Sequence, residues 1–421
     1  MTASRHEADG LWKRNLYVIW AANFLSIASF SFVFPFMPLF IQQLGVPDPG
    51  QAALWTGIAA GASGLALFVS GPIWGMIGDR YGRKRNLLRA LFGSAVAVAL
   101  TGLAGDVYQL LLFRLLVGAV SGTVPAAMAL VASQTPRQKV GFVMGILQTS
   151  MYAGSVLGPF IGGYLAQAAG FRNAFFIAGG ALALSGVVTW WLAKEEFRPS
   201  PQEVTATPVA HLKRFYATVK TPELLSVLAV MFLVQLGPVI TFPVLPLFLK
   251  ELSGQETSAS LTGTAFALMG VSGLVASFLV ARLSQRIGLK VVLVSGAALA
   301  GLFYLPMLLV SGPYQAIGVV TVVGIFNGAM MSTVTGLLAE AVPREKQGQA
   351  FGASQSAFSL AFGLGPLAGG ALATLIGLRL VFLANGLVML AVALVTWRTI
   401  SVRKTAEAAP TQPPSVKTKA G

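Results

Sequence analysis

Residues 75–87 read GMIGDRYGRKRNL, and this polar stretch stands between two long apolar runs, 53–78 and 87–105. It places one carboxylate, Asp79, beside several cations and three glycines. An apolar run of about 20 residues is long enough to cross a bilayer as a helix. The pattern therefore predicts a tight, charged loop that joins two membrane-spanning helices.

The composition of the whole chain agrees with a membrane protein. Of its 421 residues, 55% are hydrophobic and 10% are charged, whereas soluble domains are about 25% charged. The chain has no cysteine and two histidines, His6 and His211, both in polar segments. Disulfides, thiolate-held metals, a histidine metal site and a catalytic triad are therefore excluded. No G-x-x-x-x-G-K-[ST] loop for a nucleotide is present. We expect no metal, no cofactor and no enzymatic activity.

The apolar runs predict an all-α membrane protein with twelve transmembrane helices in two bundles of six. The runs are 15–43, 53–78, 87–105, 108–131, 139–169, 174–193, 223–250, 260–282, 290–310, 314–340, 347–376 and 379–399. Because the segment 194–222 is polar and rich in proline, we interpret it as a linker between an N-terminal bundle, 15–193, and a C-terminal bundle, 223–399. Residues 1–14 and 400–421 are predicted to be tails, the second of them disordered.

The positions of the basic residues predict the orientation in the membrane, since Lys and Arg accumulate in cytoplasmic loops. If both termini and the linker share one side, that side carries 25 of the 29 Lys and Arg residues. The other side carries only Arg172, Lys250 and Arg379, and Arg114 lies within a span. Both termini are therefore expected in the cytoplasm. The formal charge of +15 is mostly an orientation signal, so we expect no nucleic-acid partner.

Four short motifs recur at an offset of 206–208 residues, which indicates an internal repeat. The stretch from Pro35 to Phe40 matches Pro243 to Phe248, and G-P-x-x-G-G at 158–163 matches 365–370. The remaining pairs are P-R-x-K-x-G at 136–141 and 343–348, and R-x-G-x-K at 80–84 and 286–290. Two halves related by an axis along the membrane normal provide the geometry for alternating access.

Two further motifs lie inside predicted spans. Arg114 is followed by Gly118, and a cation within a span is costly unless it faces protein or water. A long side chain of this kind could also extend to the outer headgroups. The fifth span carries small residues at four-residue spacing around a proline, a pattern that permits close helix contact and a bend. These residues are Gly154, Gly158, Pro159, Gly162 and Gly163.

Together these motifs resemble those of the major facilitator family, and the stretches 12–20, 28–46, 72–84 and 134–141 resemble its drug-efflux branch. The resemblance implies that the loop after the second span locks the cytoplasmic side, through Gly75, Asp79, Arg80, Gly82, Arg83 and Lys84. It implies that Arg114, with Asp79, takes part in proton coupling. The glycine motif of the fifth span resembles the antiporter signature, which implies export. The second copy of the loop has Gln285 at the acidic position, so its locking role is weakened.

A substrate cavity is expected where polar, aromatic and methionine side chains of both bundles face the centre. Such a surface suits amphipathic molecules of varied shape, although each residue could equally be an ordinary packing residue. The candidates are Asn23, Phe30, Phe34, Gln148, Tyr152, Gln235, Phe266, Met269, Asn327, Met331, Gln355 and Phe358.

No acidic residue lies clearly in the middle of a span. A buried acid often carries the proton in proton-coupled carriers, so coupling here would use Asp79, Asp106, Glu223 or Glu340 together with Arg114. Otherwise the chain would be a uniporter or would couple to something other than protons.

The sequence thus predicts a monomeric carrier of the bacterial cytoplasmic membrane that exports amphipathic or cationic drugs, driven by the proton gradient. One alternative keeps the fold and changes the cargo to a specific nutrient, metabolite or lipid. A membrane-embedded enzyme and a sensor without transport activity are two further alternatives.

Overall fold

The computed structural model of the chain describes residues 2–195, 221–254, 258–342 and 347–399, and this part is helical without a strand. In the N-terminal half the helices are α1 (Thr2–Val33), α2 (Met37–Gln43), α3 (Pro49–Tyr81), α4 (Arg83–Gly102), α5 (Val107–Val120), α6 (Thr123–Gln134), α7 (Val140–Ala169) and α8 (Phe171–Leu192). In the C-terminal half they are α9 (Pro222–Thr241), α10 (Leu245–Ser253), α11 (Ser258–Ile287), α12 (Leu289–Tyr304), α13 (Pro313–Ala341), α14 (Gln347–Ile376) and α15 (Leu378–Thr399).

Eleven segments of the described residues are long and apolar enough to cross a membrane. Helix α4 fills the place of the third predicted span but is not among these eleven. Its first seven residues contain four cations, namely Arg83, Lys84, Arg85 and Arg89, and this charge lowers the hydropathy of a 20-residue helix. The predicted linker lies outside the described residues from 196 to 220.

Three predicted single spans are broken helices in the structure. The first span divides at a 3-10 turn over Phe34–Phe36, because Pro35 has no amide hydrogen for the helix. The fourth divides at Gly122, whose φ of +117° favours glycine. The seventh divides between Thr241 and Leu245, next to Pro243.

The N-terminal boundary also differs from the prediction. Helix α1 begins at Thr2 and continues through the predicted tail 1–14. No proline interrupts the stretch from Thr2 to Leu16, and the helix continues through Gly10.

The two halves pack against each other mainly through α3 on α14 and through α7 on α11. Within the N-terminal half α1 packs on α7 and α4 on α8, and within the C-terminal half α11 packs on α13 and α12 on α15. The two contacts between the halves, α3 on α14 and α7 on α11, are equivalent under the sequence repeat, since α3 corresponds to α11 and α7 to α14. The interface between the halves is therefore built twice from the same pair of elements.

The repeat is visible in side chains as well. Arg172 donates to the carbonyl of Gly102 at 3.1 Å and lies 5.8 Å from the ring of Phe40. Its counterpart Arg379 donates to the carbonyl of Leu308 at 3.0 Å and lies 5.4 Å from the ring of Phe248. These two cations, which the sequence shows only as exceptions to the charge bias, each close the end of a neighbouring helix.

We use two names for the ends of the helices. The basic face is the end that carries the cation-rich connections 80–85, 135–139 and 286–290. The opposite face carries the connections 44–48, 103–106 and 309–312.

Candidate functional site

The charged loop at 75–87 is compact and makes its contacts within the N-terminal half. Gly82 joins α3 to α4 with a φ of +113°, and its amide donates to the carbonyl of Gly78 at 3.0 Å. Asp79 pairs with Arg83, at 3.5 Å between Oδ1 and Nε. Because both side chains retain substantial exposure, 50% for Asp79 and 26% for Arg83, this pair adds little stability by itself.

The loop is attached to the end of α8 by two reciprocal caps. Both carboxylate oxygens of Glu195 accept from the start of α4, from the amides of Arg83 and Lys84 at 2.9 Å each. In return, Lys84 Nζ donates to the carbonyls of Trp190 and Ala193 at 2.8 and 2.7 Å. Partial burial lowers the pKa of Lys84, and the charge of Glu195 opposes that shift. A carboxylate at a helix start and an ammonium at a helix end both suit the helix dipole.

The remaining predicted locking residues face away from other elements. Arg80 and Gly75 are exposed, and a Cβ added at Gly71 or Gly75 would meet nothing within 4 Å. A Cβ at Gly141 or Gly145 of α7 would also meet nothing. At these four positions the helices α3 and α7 make no close contact with another element.

Toward the opposite face the two halves are in close contact. A Cβ added at Gly163 would lie 2.6 Å from the carbonyl oxygen of Ala259, and one added at Gly263 would lie 2.4 Å from the carbonyl oxygen of Pro159. The repeat-equivalent Gly370 packs against Ala53, where an added Cβ would lie 2.4 Å from the carbonyl oxygen. These glycine contacts between the halves thus lie toward the opposite face.

The predicted glycine motif of α7 serves two interfaces at once. Gly154, Gly158 and Gly162 pack on α1, where an added Cβ would come within 2.6–2.9 Å of its atoms. Gly163 packs on α11 of the other half. The second copy works in the same way: Gly369 packs on α9 while Gly370 packs on α3.

Arg114 is buried, with 7% of its surface exposed, so it does not extend to the headgroups. Its carbonyl accepts from Ser63 Oγ of α3 at 2.8 Å. The guanidinium atoms Nε and Nη2 are buried without a hydrogen-bond partner among the described residues. A cation held within the span in this way is costly, and such groups usually mark ion or substrate pathways.

The carboxylates that could accompany Arg114 have other roles or lie elsewhere. Asp106 caps α5 by accepting from the amides of Tyr108 and Gln109 at 2.8 Å. Asp79 pairs with Arg83, and Glu340 is exposed near the end of α13. The side chain of Glu223 lies outside the described residues. None of the three described candidates contacts Arg114.

Four phenylalanines from both halves meet one another, and we call them the aromatic roof. Phe242 lies 5.8 Å from Phe34, 5.3 Å from Phe266 and 6.2 Å from Phe362, measured between ring centroids. Phe34 and Phe266 are among the predicted cavity residues. Phe242, at the centre of the roof, was missed. Its position is the repeat equivalent of Phe34, so the repeat could have predicted it.

Beyond the roof, the opposite face has a small polar cavity of about 540 Å³. Lys250 Nζ donates to Gln42 Oε1 at 2.7 Å along its wall. Gln43 and Gln167 also line this cavity. The Gln42–Lys250 hydrogen bond joins the two halves.

The other predicted cavity residues differ in their surroundings. Asn23 is buried and donates to Ser150 Oγ of α7 at 2.9 Å, and it lines a small void within the N-terminal half rather than a space between the halves. Gln148 and Tyr152 are exposed. Those of intermediate exposure are Phe30, Phe34, Gln235, Met269, Asn327, Met331 and Phe358, while Phe266 is buried. The side chain of Gln355 lies outside the described residues.

The chain belongs to the Major Facilitator Superfamily, whose family model matches residues 19–255 and 227–420. It is therefore a membrane transporter and not an enzyme, with the predicted fold of two helical bundles. Its fold is similar to that of a bacterial homologue of the human lysosomal transporter Spinster, with a TM-score of 0.74 at 16% identity over 92% of this chain and 96% of that one. It is also similar to a D-xylose–proton symporter, with a TM-score of 0.71 at 14% identity over 92% and 98%.

Among known proteins the chain is similar to the multidrug resistance protein MdtG. It is 35% identical to MdtG of Escherichia coli O1:K1 / APEC, over 93% of this chain and 96% of that protein. It is 34% identical to MdtG of Citrobacter koseri over the same shares of the two chains. This similarity covers both halves and the interface between them.

Proposed function

We propose that the chain exports several structurally unrelated amphipathic compounds by alternating access. The observation that carries the proposal is the aromatic roof, in which phenylalanines of both halves meet. Phenylalanines make a neutral and adaptable contact surface, and such a surface binds apolar portions of many molecules. The similarity to proteins named for multidrug resistance supports the same function.

The orientation is part of this proposal. The basic face is the cytoplasmic one, because Lys and Arg are retained on that side of the membrane, and both termini then lie in the cytoplasm. The structure corresponds to the inward-facing state, ready to take a compound from the cytoplasm or the inner leaflet. The membrane is the bacterial cytoplasmic membrane, and one chain suffices because its pathway lies between its own halves.

The transport cycle follows from the two interfaces. To open outward, the halves separate where α3 meets α14 and where α7 meets α11, and the Gln42–Lys250 hydrogen bond breaks. The basic ends of the same helices then approach, which brings the 75–87 loop toward the C-terminal half. Asp79 and Arg83 are the charged groups of the loop that would stabilise this closed basic face.

Protons are the proposed driving ion, and Arg114 is the residue proposed to respond to them. Two nitrogens of its buried guanidinium have no hydrogen-bond partner among the described residues, so a proton or compound moving nearby would change the environment of this charge. Moving one charge through 100 mV supplies about 2.3 kcal/mol, which bounds the electrical part of the drive.

Reconstituted transport tests the proposal directly. Purified protein in proteoliposomes is given a fluorescent amphipathic cation, with and without an imposed pH gradient, and flux is recorded from each side. We expect gradient-driven flux that several unrelated amphiphiles inhibit. Flux of a single solute class would instead assign the chain to a specific nutrient or metabolite, and absence of flux for every compound would refute transport.

A further inference from the structure

The polar cavity at the opposite face is lined by both halves of the molecule. Residues of α2, α7 and the start of α8 line it from the N-terminal half, and residues of α10 and the start of α11 line it from the C-terminal half. Its volume of about 540 Å³ lies within the range of small-ligand pockets, about 300–1,000 Å³. No residue of the aromatic roof lines it, so this space is separate from the surface to which we assign transported compounds.

Lys250 is the charged residue of the cavity wall. Its ammonium has three N–H donors, and one of them is donated to Gln42 Oε1 at 2.7 Å. The Gln42 amide is oriented by its other end, because Nε2 donates to the carbonyl of Pro47 at 3.0 Å. Among the described residues Lys250 has no second acceptor and no carboxylate partner. Two of its N–H groups therefore remain available to a ligand.

The rest of the described wall adds hydrogen-bond donors and no negative charge. Gln43 and Gln167 contribute side-chain amides, and none of the lining residues is acidic. The long helices α8 and α11 begin at Phe171 and Ser258, which both line the cavity. Because the N-terminal end of a helix carries a partial positive charge, these helix ends add to the charge of Lys250. The described wall is therefore suited to an anion.

The sequence repeat shows that the fold does not require this cavity. The repeat-equivalent position of Gln43 is Glu251, an acid, and that of Gln167 is Thr374. At Thr374 the halves are in close contact, since a Cβ added at Gly50 would lie 3.1 Å from its Cα. One end of the repeated interface is thus packed and beside an acid, whereas the other end leaves an acid-free space at Lys250.

We propose that this cavity binds the oxyanion group, a carboxylate or a phosphate, of a small solute or a lipid headgroup. Lys250 is the counter-ion, and Gln43 and Gln167 donate hydrogen bonds to the oxyanion. An ammonium is a compact charge that pairs well with both kinds of oxyanion. A water molecule occupies about 30 Å³ in the liquid, so the cavity has room for more of the ligand than its charged group.

Such a ligand would contact both halves, because Lys250 belongs to the C-terminal half and the two glutamines belong to the N-terminal half. A ligand favours the state to which it binds better, so this one would stabilise the conformation in which the halves meet at the opposite face. In the orientation that we propose, an oxyanion outside the cell would hold the carrier inward-facing and slow export. The site itself does not depend on that orientation.

Binding to the purified, full-length protein in a neutral detergent tests the site. One arm measures equilibrium dialysis of ³²P-labelled inorganic phosphate, and melting temperatures in sodium phosphate against NaCl at matched ionic strength, since a ligand of the folded state raises them. The second arm compares melting in short-chain phosphatidylglycerol with melting in phosphatidylcholine. We expect saturable binding and a higher melting temperature. A response to phosphate identifies a free solute, and a response to phosphatidylglycerol alone identifies a lipid headgroup.

Two variants of the wall have matched controls. Lys250→Met removes the charge, and Gln43→Glu places at an exposed position the acid that the repeat has at Glu251. Lys290→Met is the same change at a lysine of equally intermediate exposure on the basic face, and Gln109→Glu is the same change at an exposed residue outside the lining. The controls are needed because phosphate stabilises folded proteins in general.

Each wall variant is expected to weaken phosphate or phosphatidylglycerol binding about tenfold or more, while both controls bind as the wild type does. Melting in NaCl shows separately whether each variant is folded. The proposal is overturned if the wild type binds neither probe, or if the folded wall variants bind as tightly as their controls. No transported drug is used, so this outcome and a failure of export in proteoliposomes are distinguishable.

Discussion

Gln42 and Lys250 occupy the same position in the two sequence repeats, 208 residues apart, and their side chains meet at 2.7 Å across the interface between the halves. Phe34 and Phe242 are a second pair of equivalent residues in contact, with centroids 5.8 Å apart. Equivalent residues can touch only near the axis that relates the halves. The closed end of the pathway therefore lies on that axis.

The Gln42–Lys250 hydrogen bond is expected to stabilise the inward-facing state. Lys250→Met removes the hydrogen-bond donor and keeps the aliphatic part of the side chain. The inward-facing state should then lose about 1 kcal/mol of stability relative to the outward-open state, which shifts the equilibrium between them about fivefold. The chain has no cysteine, so one introduced at Gln43 reports access from outside by its rate of labelling. We expect faster labelling in Lys250→Met and an unchanged rate in the neighbouring control Glu251→Gln. Equal labelling rates in the parent protein, Lys250→Met and Glu251→Gln would show that Lys250 does not stabilise the inward-facing state.

Gly163 should tolerate no larger side chain, because a Cβ there would lie 2.6 Å from the Ala259 carbonyl. Gly163→Val is expected to cost about 1–3 kcal/mol in the closed outer interface by overpacking. Export should fall while the protein is still made and folded. Gly180→Val in α8 is the control, since an added Cβ there meets nothing within 4 Å. Normal export by Gly163→Val would show that outer closure is not needed.

The reciprocal caps at Glu195 and Lys84 are expected to stabilise the N-terminal half rather than to act as a lock. Glu195→Gln weakens the cap of α4 and should cost about 1 kcal/mol, or about 2–4 °C in the melting temperature. Lys84→Met should be non-additive with it, because both changes disrupt one connection. Additive losses in the double variant would indicate two separate interactions.

Asp79 carries the proposed locking role, although among the described residues its ion pair in this conformation is with Arg83. Asp79→Asn should reduce export while leaving the amount of protein in the membrane and its melting temperature near normal, because the exposed pair contributes little here. Flux measured in proteoliposomes, normalised to protein content, checks this. Undiminished flux would count against a lock at this loop.

Arg114→Gln is expected to reduce pH-gradient-driven flux about tenfold, equivalent to ~1.4 kcal/mol of barrier, because the buried charge is removed. Flux down a substrate gradient without a pH gradient should change much less. The measurement compares both modes in the same vesicles. An equal loss in both would make Arg114 a structural residue instead of a coupling one.

The sequence predicts the helical architecture well, because each span is recognisable by its length and its apolar composition, and because the repeat relates the two halves. It predicts helix breaks poorly: Pro35 and Gly122 interrupt runs whose hydropathy continues across them. Contacts between residues that are far apart in the sequence are also not predictable from it. Nothing local indicates that Glu195 caps α4 or that Phe242 fills the centre of the roof, since both depend on packing between distant elements. The partner of Asn23 is equally hidden in the sequence, because its amide nitrogen donates to Ser150, 127 residues away.

The central claim, that the halves rock about a fixed pathway, is tested most directly by a reversible cross-link across the basic face. Cysteines at Gly145 of α7 and Phe278 of α11, both exposed in this structure, are joined by a cleavable bifunctional reagent in proteoliposomes. Rocking predicts that efflux stops when the link forms and returns when it is cleaved. Efflux that continues at the unlinked rate with the pair fully cross-linked would contradict the mechanism.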